Sequence, residues 1–138
     1  MMVLSTLEWD AIVIAGLLGF GVGLLWFSDK AFGSTYRGES GVQHAGGRVP
    51  LCGTVEVVSN LALATVVAIV LTAFGGTFSV GADWLWAVIV MIVAVNSTVG
   101  ATNLWQGRST RFVAIGNSYH AVQIIVMALA YVYVERVM

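Results

Sequence analysis

The 138 residues are 59% hydrophobic and 9% charged, with a net charge of −1. A soluble domain carries about 25% charged residues, and one of this length has too little interior to hide so much apolar side chain, so a water-soluble fold is excluded and lipid is the expected solvent. The basic residues are scattered, which removes nucleic acid as an expected partner.

Four apolar segments follow in chain order: Trp9–Phe27, Val55–Phe74, Trp84–Trp105 and Phe112–Val134. Each approaches the ~20 residues that cross the hydrocarbon of a bilayer at ~1.5 Å per residue. Four strands cannot close a barrel, so helices are the way to satisfy these backbones in lipid. The expected fold class is therefore an all-α membrane protein, one domain over residues 1–138, with four transmembrane helices in a bundle. The N-terminal eight residues contain no Lys or Arg, and the first apolar segment is too long for a signal-peptide core, so it is expected to be a retained helix.

Tryptophans mark the boundaries. Trp9, Trp26, Trp84, Trp86 and Trp105 all fall at span ends, as do Tyr131 and Tyr133, where amphipathic rings prefer to sit. Capping chemistry agrees: Thr54 is placed to cap the second span, with Glu56 in its first turn, and Asp83 the third. Gly107 is placed to end the third, and Ser109 or Thr110 to cap the fourth. The first loop, Ser28–Gly53 with Thr54 at its end, is rich in glycine (Gly33, Gly38, Gly41, Gly46, Gly47, Gly53), which argues against regular structure there. It is expected to lie along the membrane surface or to fold back under the bundle. Lys30, Arg37, Arg48, Arg108 and Arg111 belong to the first and third loops, against Arg136 alone elsewhere. The positive-inside rule then puts those loops in the cytoplasm and both termini outside.

Polar residues inside the spans are the candidates for function. Glu56, Ser59 and Asn60 open the second span; Asn96, Ser97, Thr98, Thr102 and Asn103 lie in the third; Asn117, Ser118, Tyr119, His120 and Gln123 lie in the fourth. Glu56 and Asn60 share a face at i, i+4, and Asn117 and His120 at i, i+3. By depth, Glu56, Asn60, Asn103, Asn117 and His120 fall in the half of the bundle next to the basic loops, with Arg108 and Arg111 at its mouth and Asn96 and Gln123 deepest. Asn, Ser and Thr also act as interhelical glue, and a histidine bonded to an asparagine or to Glu56 can be purely structural. Both readings stay open.

Other chemistries find less support. One in-span histidine and one carboxylate fall short of a metal-ligand set, and His44 lies in the loop. Ser118 and His120, at i, i+2, point apart and make no triad. No phosphate loop or zinc motif is present, and no cofactor is expected. Cys52, the single cysteine, cannot form an internal disulfide and reads as a small apolar residue at a helix entrance. In the first span Gly16, Gly19 and Gly23 lie near one face, a G-x-x-x-G pair among them, which suits either packing within the bundle or a dimer seam.

Two stretches resemble a family of small four-helix prokaryotic integral membrane proteins of unknown function. Gly23-Leu24-Leu25-Trp26-Phe27-Ser28, with Phe32-Gly33, is similar to its G-x-L-W-[YF]-S-x-x-x-F-G pattern. Thr102 with Gln106-Gly107-Arg108, then Gly116-Asn117 and Tyr119-His120, is similar to its second segment, although Ser109 stands where the family has proline. The resemblance runs over roughly residues 11–135. It implies the four-helix topology, a multi-pass protein of a prokaryotic inner or plasma membrane, and no activity.

The expected function is a polar pocket in the cytoplasmic half that binds or passes a small solute, ion or lipid, with a homo-oligomer or a membrane-protein partner completing a thin bundle. The alternative is a structural or accessory subunit of a larger membrane complex. An intramembrane enzyme with His120 and Glu56 as acid and base is the less favoured third reading.

Overall fold

Each apolar run folds into a helix because no other open structure satisfies its backbone in lipid. The computed structural model describes residues 7–40, 49–75 and 82–137. Its helices are α1 (Trp9–Trp26), α2 (Gly33–Ser40), α3 (Val49–Gly75), α4 (Ala82–Trp105) and α5 (Thr110–Val137). All but α2 are long and apolar enough to cross a membrane, so the chain is a multi-pass membrane protein with four transmembrane helices. His44, Arg48, Gly41, Gly46 and Gly47 of the first loop, the first six residues, most of the second loop and the side chain of Cys52 lie outside the described residues.

Several boundaries differ from expectation. Helix α3 starts at Val49, six residues before Val55, so Thr54 lies inside the helix and does not cap it. Pro50 sits in its first turn, where a missing N–H costs nothing. Helix α4 starts at Ala82, which leaves Asp83 in the first turn, near the positive end of the helix dipole. Helix α5 runs to Val137, three residues past Val134.

The α4–α5 corner follows from two residues. Gly107 takes φ 73°, a left-handed conformation that suits glycine. Its N–H bonds Leu104 O at 3.0 Å while Arg108 N–H bonds Asn103 O at 3.0 Å, a Schellman ending. Ser109 then caps α5, its Oγ accepting from Phe112 N at 3.1 Å.

The larger correction concerns the glycine-rich first loop, which contains the helix α2. Its stability is tertiary. Tyr36 stacks on Phe112 of α5 with centroids 4.4 Å apart, Arg108 donates to Ser40 O at 2.6 Å, and Ser109 donates to a Glu39 carboxylate oxygen at 2.5 Å. Arg37 pairs with Asp29. The loop thus folds back onto the start of α5. Gly33 permits the tight turn from α1: its N–H bonds Ser28 O at 2.9 Å, and a β-carbon there would overlap Phe27 O.

In the half remote from α2, the core is plain packing: Ala11, Ile12 and Ala15 meet Ala64, Val67, Ala68 and Leu71, with Val88, Met91, Ile124, Met127 and Ala128 closing it. Tyr131, expected in the interfacial aromatic belt, is instead fully buried there, with its hydroxyl 3.4 Å from Thr72 Oγ1. Trp9, Trp86, Trp105 and Tyr133 do project outward, but Trp26 and Trp84 pack inward. Trp26 Nε1 donates to Ile115 O at 3.3 Å, tying α1 to α5.

Candidate functional site

The glycine face of α1 is turned into the bundle. A β-carbon on Gly16 would come within 2.8 Å of Leu61, one on Gly19 within 2.9 Å of Asn60 Oδ1, and one on Gly23 within 3.0 Å of the Tyr119 hydroxyl. All three glycines are buried, so of the two expectations for this stripe the intramolecular one describes the structure. Two of the close approaches are to polar atoms: Gly19 and Gly23 make room for a hydrogen-bonded cluster between α3 and α5.

That cluster is a closed ring. Asn60 Nδ2 donates to Glu56 O at 2.8 Å and to Glu56 Oε1 at 3.2 Å. Gln123 Nε2 donates to Asn60 Oδ1 at 2.6 Å and to the Tyr119 hydroxyl at 2.8 Å. Tyr119 in turn donates to Glu56 Oε1 at 3.1 Å. Each orientation is forced by the next. Glu56 O can only accept, so the nitrogen of Asn60 faces it and Oδ1 faces Gln123. Gln123 must then present its nitrogen to Asn60, which leaves Oε1 toward His120 Nδ1 at 3.3 Å. His120 therefore donates through Nδ1–H, and in its neutral form Nε2 is the basic nitrogen. Among the described residues Asn60 and Gln123 are buried polar side chains, at 2% and 3% exposure, and buried amides persist where they are paired as these are.

The ring forms one wall of a cavity of about 700 Å³. From α3 it is lined by Glu56, Ser59, Asn60 and Leu63, and from α5 by Gly116, Tyr119, His120 and Gln123. The rest of the lining is mainly apolar and aromatic: Phe20, Gly23, Leu24 and Phe27 from α1, Tyr36 from α2, and Val95, Val99 and Asn103 from α4. His120 is the eleventh residue of α5, about 15 Å along its axis, so the cavity reaches well into the span. Near the cavity the first turns of the second span are bare: residues 54, 55, 56, 58 and 59 are all exposed.

Helix α2 closes the loop-side end. Phe27 meets Tyr119 edge-on at 4.9 Å and Tyr36 at 4.7 Å, and Phe32 packs on Trp26 at 4.8 Å. The Gly-Leu-Leu-Trp-Phe-Ser stretch and Phe32-Gly33 thus build the aromatic corner that holds Tyr119. Burial raises the Tyr36 phenol above its ordinary pKa and Glu56 pushes the same way, while Arg108 opposes them. Tyr36 is accordingly a neutral hydroxyl at physiological pH.

The seven residues expected to cluster do not all meet. Glu56, Asn60, Asn103 and His120 line the cavity. Asn117 turns to α4 instead, with Nδ2 3.4 Å from Asn96 O and 2.9 Å from where a β-carbon on Gly100 would stand. Arg108 holds α2 and lies over the Phe112 ring at 5.5 Å, and Arg111 is exposed; neither lines the cavity. Ser97, Thr98, Thr102 and Ser118 each donate to a carbonyl of their own helix, so their hydroxyls can face lipid satisfied. Tyr119 and Gln123, named among the polar residues of the fourth span but not in the expected cluster of seven, complete the ring, and Tyr36 was not among the candidates. The first two are an i, i+4 pair around His120, a signal available in the sequence. Among the described residues no three His, Cys, Asp or Glu side chains converge as a metal would require.

Comparison with curated proteins and with solved structures gives no match. A family model described as "Protein of unknown function (DUF1761)" matches residues 11–132, a stretch that takes in the glycine face of α1, the aromatic corner and the whole polar ring. The chain belongs to the DUF1761 family.

Proposed function

We propose that the protein binds a small, largely apolar molecule in the cavity beside the Glu56–Asn60–Gln123–Tyr119 ring. The observation that carries this is the cavity itself. At about 700 Å³ it falls within the range of small-molecule sites, it is mostly apolar, and most of its polar groups belong to α3 and α5. Interhelical glue alone needs no space beside it. The open flank at residues 54–59 offers a route from the bilayer, and the basic first and third loops favour a cytoplasmic position for this half of the bundle. Substituting Glu56→Gln and His120→Ala, each in purified protein, and measuring small molecules retained from lipid by native mass spectrometry tests the reading. Loss of the retained species in both variants is expected; retention unchanged in both removes its basis.

The same bare flank supports a second reading, in which another membrane chain or a second copy covers it and the protein works as a subunit. Glu56 is exposed there, and ionisable side chains in a span face protein or water rather than lipid. Cross-linking through Val58→Cys in native membranes separates the cases: a homodimer or a heterologous adduct supports a partner, and a monomer alone sinks it.

A further inference from the structure

We infer that the molecule held in this cavity is an organic cation or amine; the inference rests on the cavity being a binding site. Three features of the wall point to positive charge. First, both side-chain donors that reach Glu56 arrive at Oε1, which leaves Oε2 without a partner among the described residues. Second, among the described residues no Lys or Arg lines the space: Arg108 is engaged by Ser40 O and Phe112, Arg37 by Asp29, and Arg111 is exposed. An unpaired carboxylate within a span is costly, and a bound cation offsets that cost. Third, the ring orientation makes Nε2 of a neutral His120 an acceptor, beside Glu56 Oε2.

The remaining wall suits the same ligand. Phe20, Phe27, Tyr36 and Tyr119 all border the space, and aromatic faces attract cations, quaternary ammonium groups among them. A carboxylate with surrounding rings and no competing cation discriminates against anions of the same size. A phosphate or carboxylate headgroup would meet Glu56 with like charge and, among the described lining residues, no cationic side chain.

A charge-matched pair of probes tests this. Tetraphenylphosphonium and tetraphenylborate have nearly the same size and shape with opposite charge, and triphenylphosphine oxide supplies a neutral analogue. Saturable binding of each is measured on the full chain in lipid nanodiscs by scintillation proximity or equilibrium dialysis. Tetraphenylphosphonium is expected to bind, at least tenfold more tightly than the neutral probe, with no saturable binding of tetraphenylborate. Glu56→Gln is expected to weaken it at least tenfold, and Asp10→Asn, an exposed carboxylate in the first turn of α1 outside the cavity, to leave it unchanged. Phe20→Leu keeps apolar volume but removes a π face, and a several-fold loss is expected there even if Glu56→Gln fails to fold. Binding of the neutral or anionic probe in preference to the phosphonium overturns the cation assignment and leaves the pocket standing. Saturable binding of none of the three overturns both.

Discussion

Gly19 of α1 stands directly against Asn60 of α3: a β-carbon on the glycine would lie 2.9 Å from Asn60 Oδ1 and would overlap the Met127 methyl. The polar ring can form only because a helix backbone approaches it without a side chain. Gly19→Ala is therefore expected to destabilise the protein by about 1–3 kcal/mol through overpacking, read as a lowered Tm in detergent. Gly21→Ala, at a position with nothing within 4 Å, is the control and is expected to hold or slightly raise the Tm. Equal losses at both positions would mean that the glycines matter for backbone reasons alone.

The ring itself is open to a paired substitution. Gln123→Leu removes the amide that joins Asn60, Tyr119 and His120, leaving Asn60 Oδ1 buried without a donor. A loss of roughly 1–3 kcal/mol is expected, whereas Ser118→Ala, an exposed hydroxyl bonded to its own helix, should change stability by less than about 0.5 kcal/mol. Thermal unfolding of the two variants side by side decides it.

Space in the cavity can be removed without disturbing its walls. Gly116 lines it, and a β-carbon there would meet nothing within 4 Å. Gly116→Ala should leave both fold and binding intact, while Gly116→Phe should keep the Tm near wild type and abolish ligand retention. Retention in the phenylalanine variant would place the ligand elsewhere.

Helix α2 depends on Ser109, which caps α5 and bonds Glu39. Ser109→Ala is expected to cost about 1 kcal/mol and to speed amide exchange across residues 33–40 more than in α1. Uniform exchange changes would contradict the link between cap and α2.

Tyr36 gives a pH dependence with a definite sign. Its folded pKa is raised, chiefly by burial, so its contribution to α2 docking is complete below the unfolded value of about 10 and is lost as pH rises through the folded one. Phenolate absorbance of wild type minus Tyr36→Phe should therefore show a component titrating above pH ~10. A component at or below that value would contradict the buried placement.

The four spans were legible because lipid leaves a helix no alternative, and Gly107 and Ser109 act locally enough for their roles to be read from spacing. Glu56, Asn60 and His120 could be brought to one depth by counting residues along their spans. Direction was not legible. A span in lipid is apolar on every side, so no hydrophobic stripe says which face is inward, and Asn117 was grouped with His120 although it turns to Gly100. Helix α2 was hidden for a different reason: its glycines speak against a helix, and the contacts that hold it, Tyr36 on Phe112 and Arg108 on Ser40 O, join residues far apart in the chain. Tyr131 belonged by position to the interface and by contact to the core.

The most direct test of the central claim is a crystal structure of the full chain grown from a lipidic mesophase. Density within the cavity, in contact with Glu56 and bounded by Phe27 and Tyr36, is the expected result. Helices α3 and α4 closed against one another along Ser59, Leu63, Val95 and Val99, with no volume beside the polar ring, would contradict it.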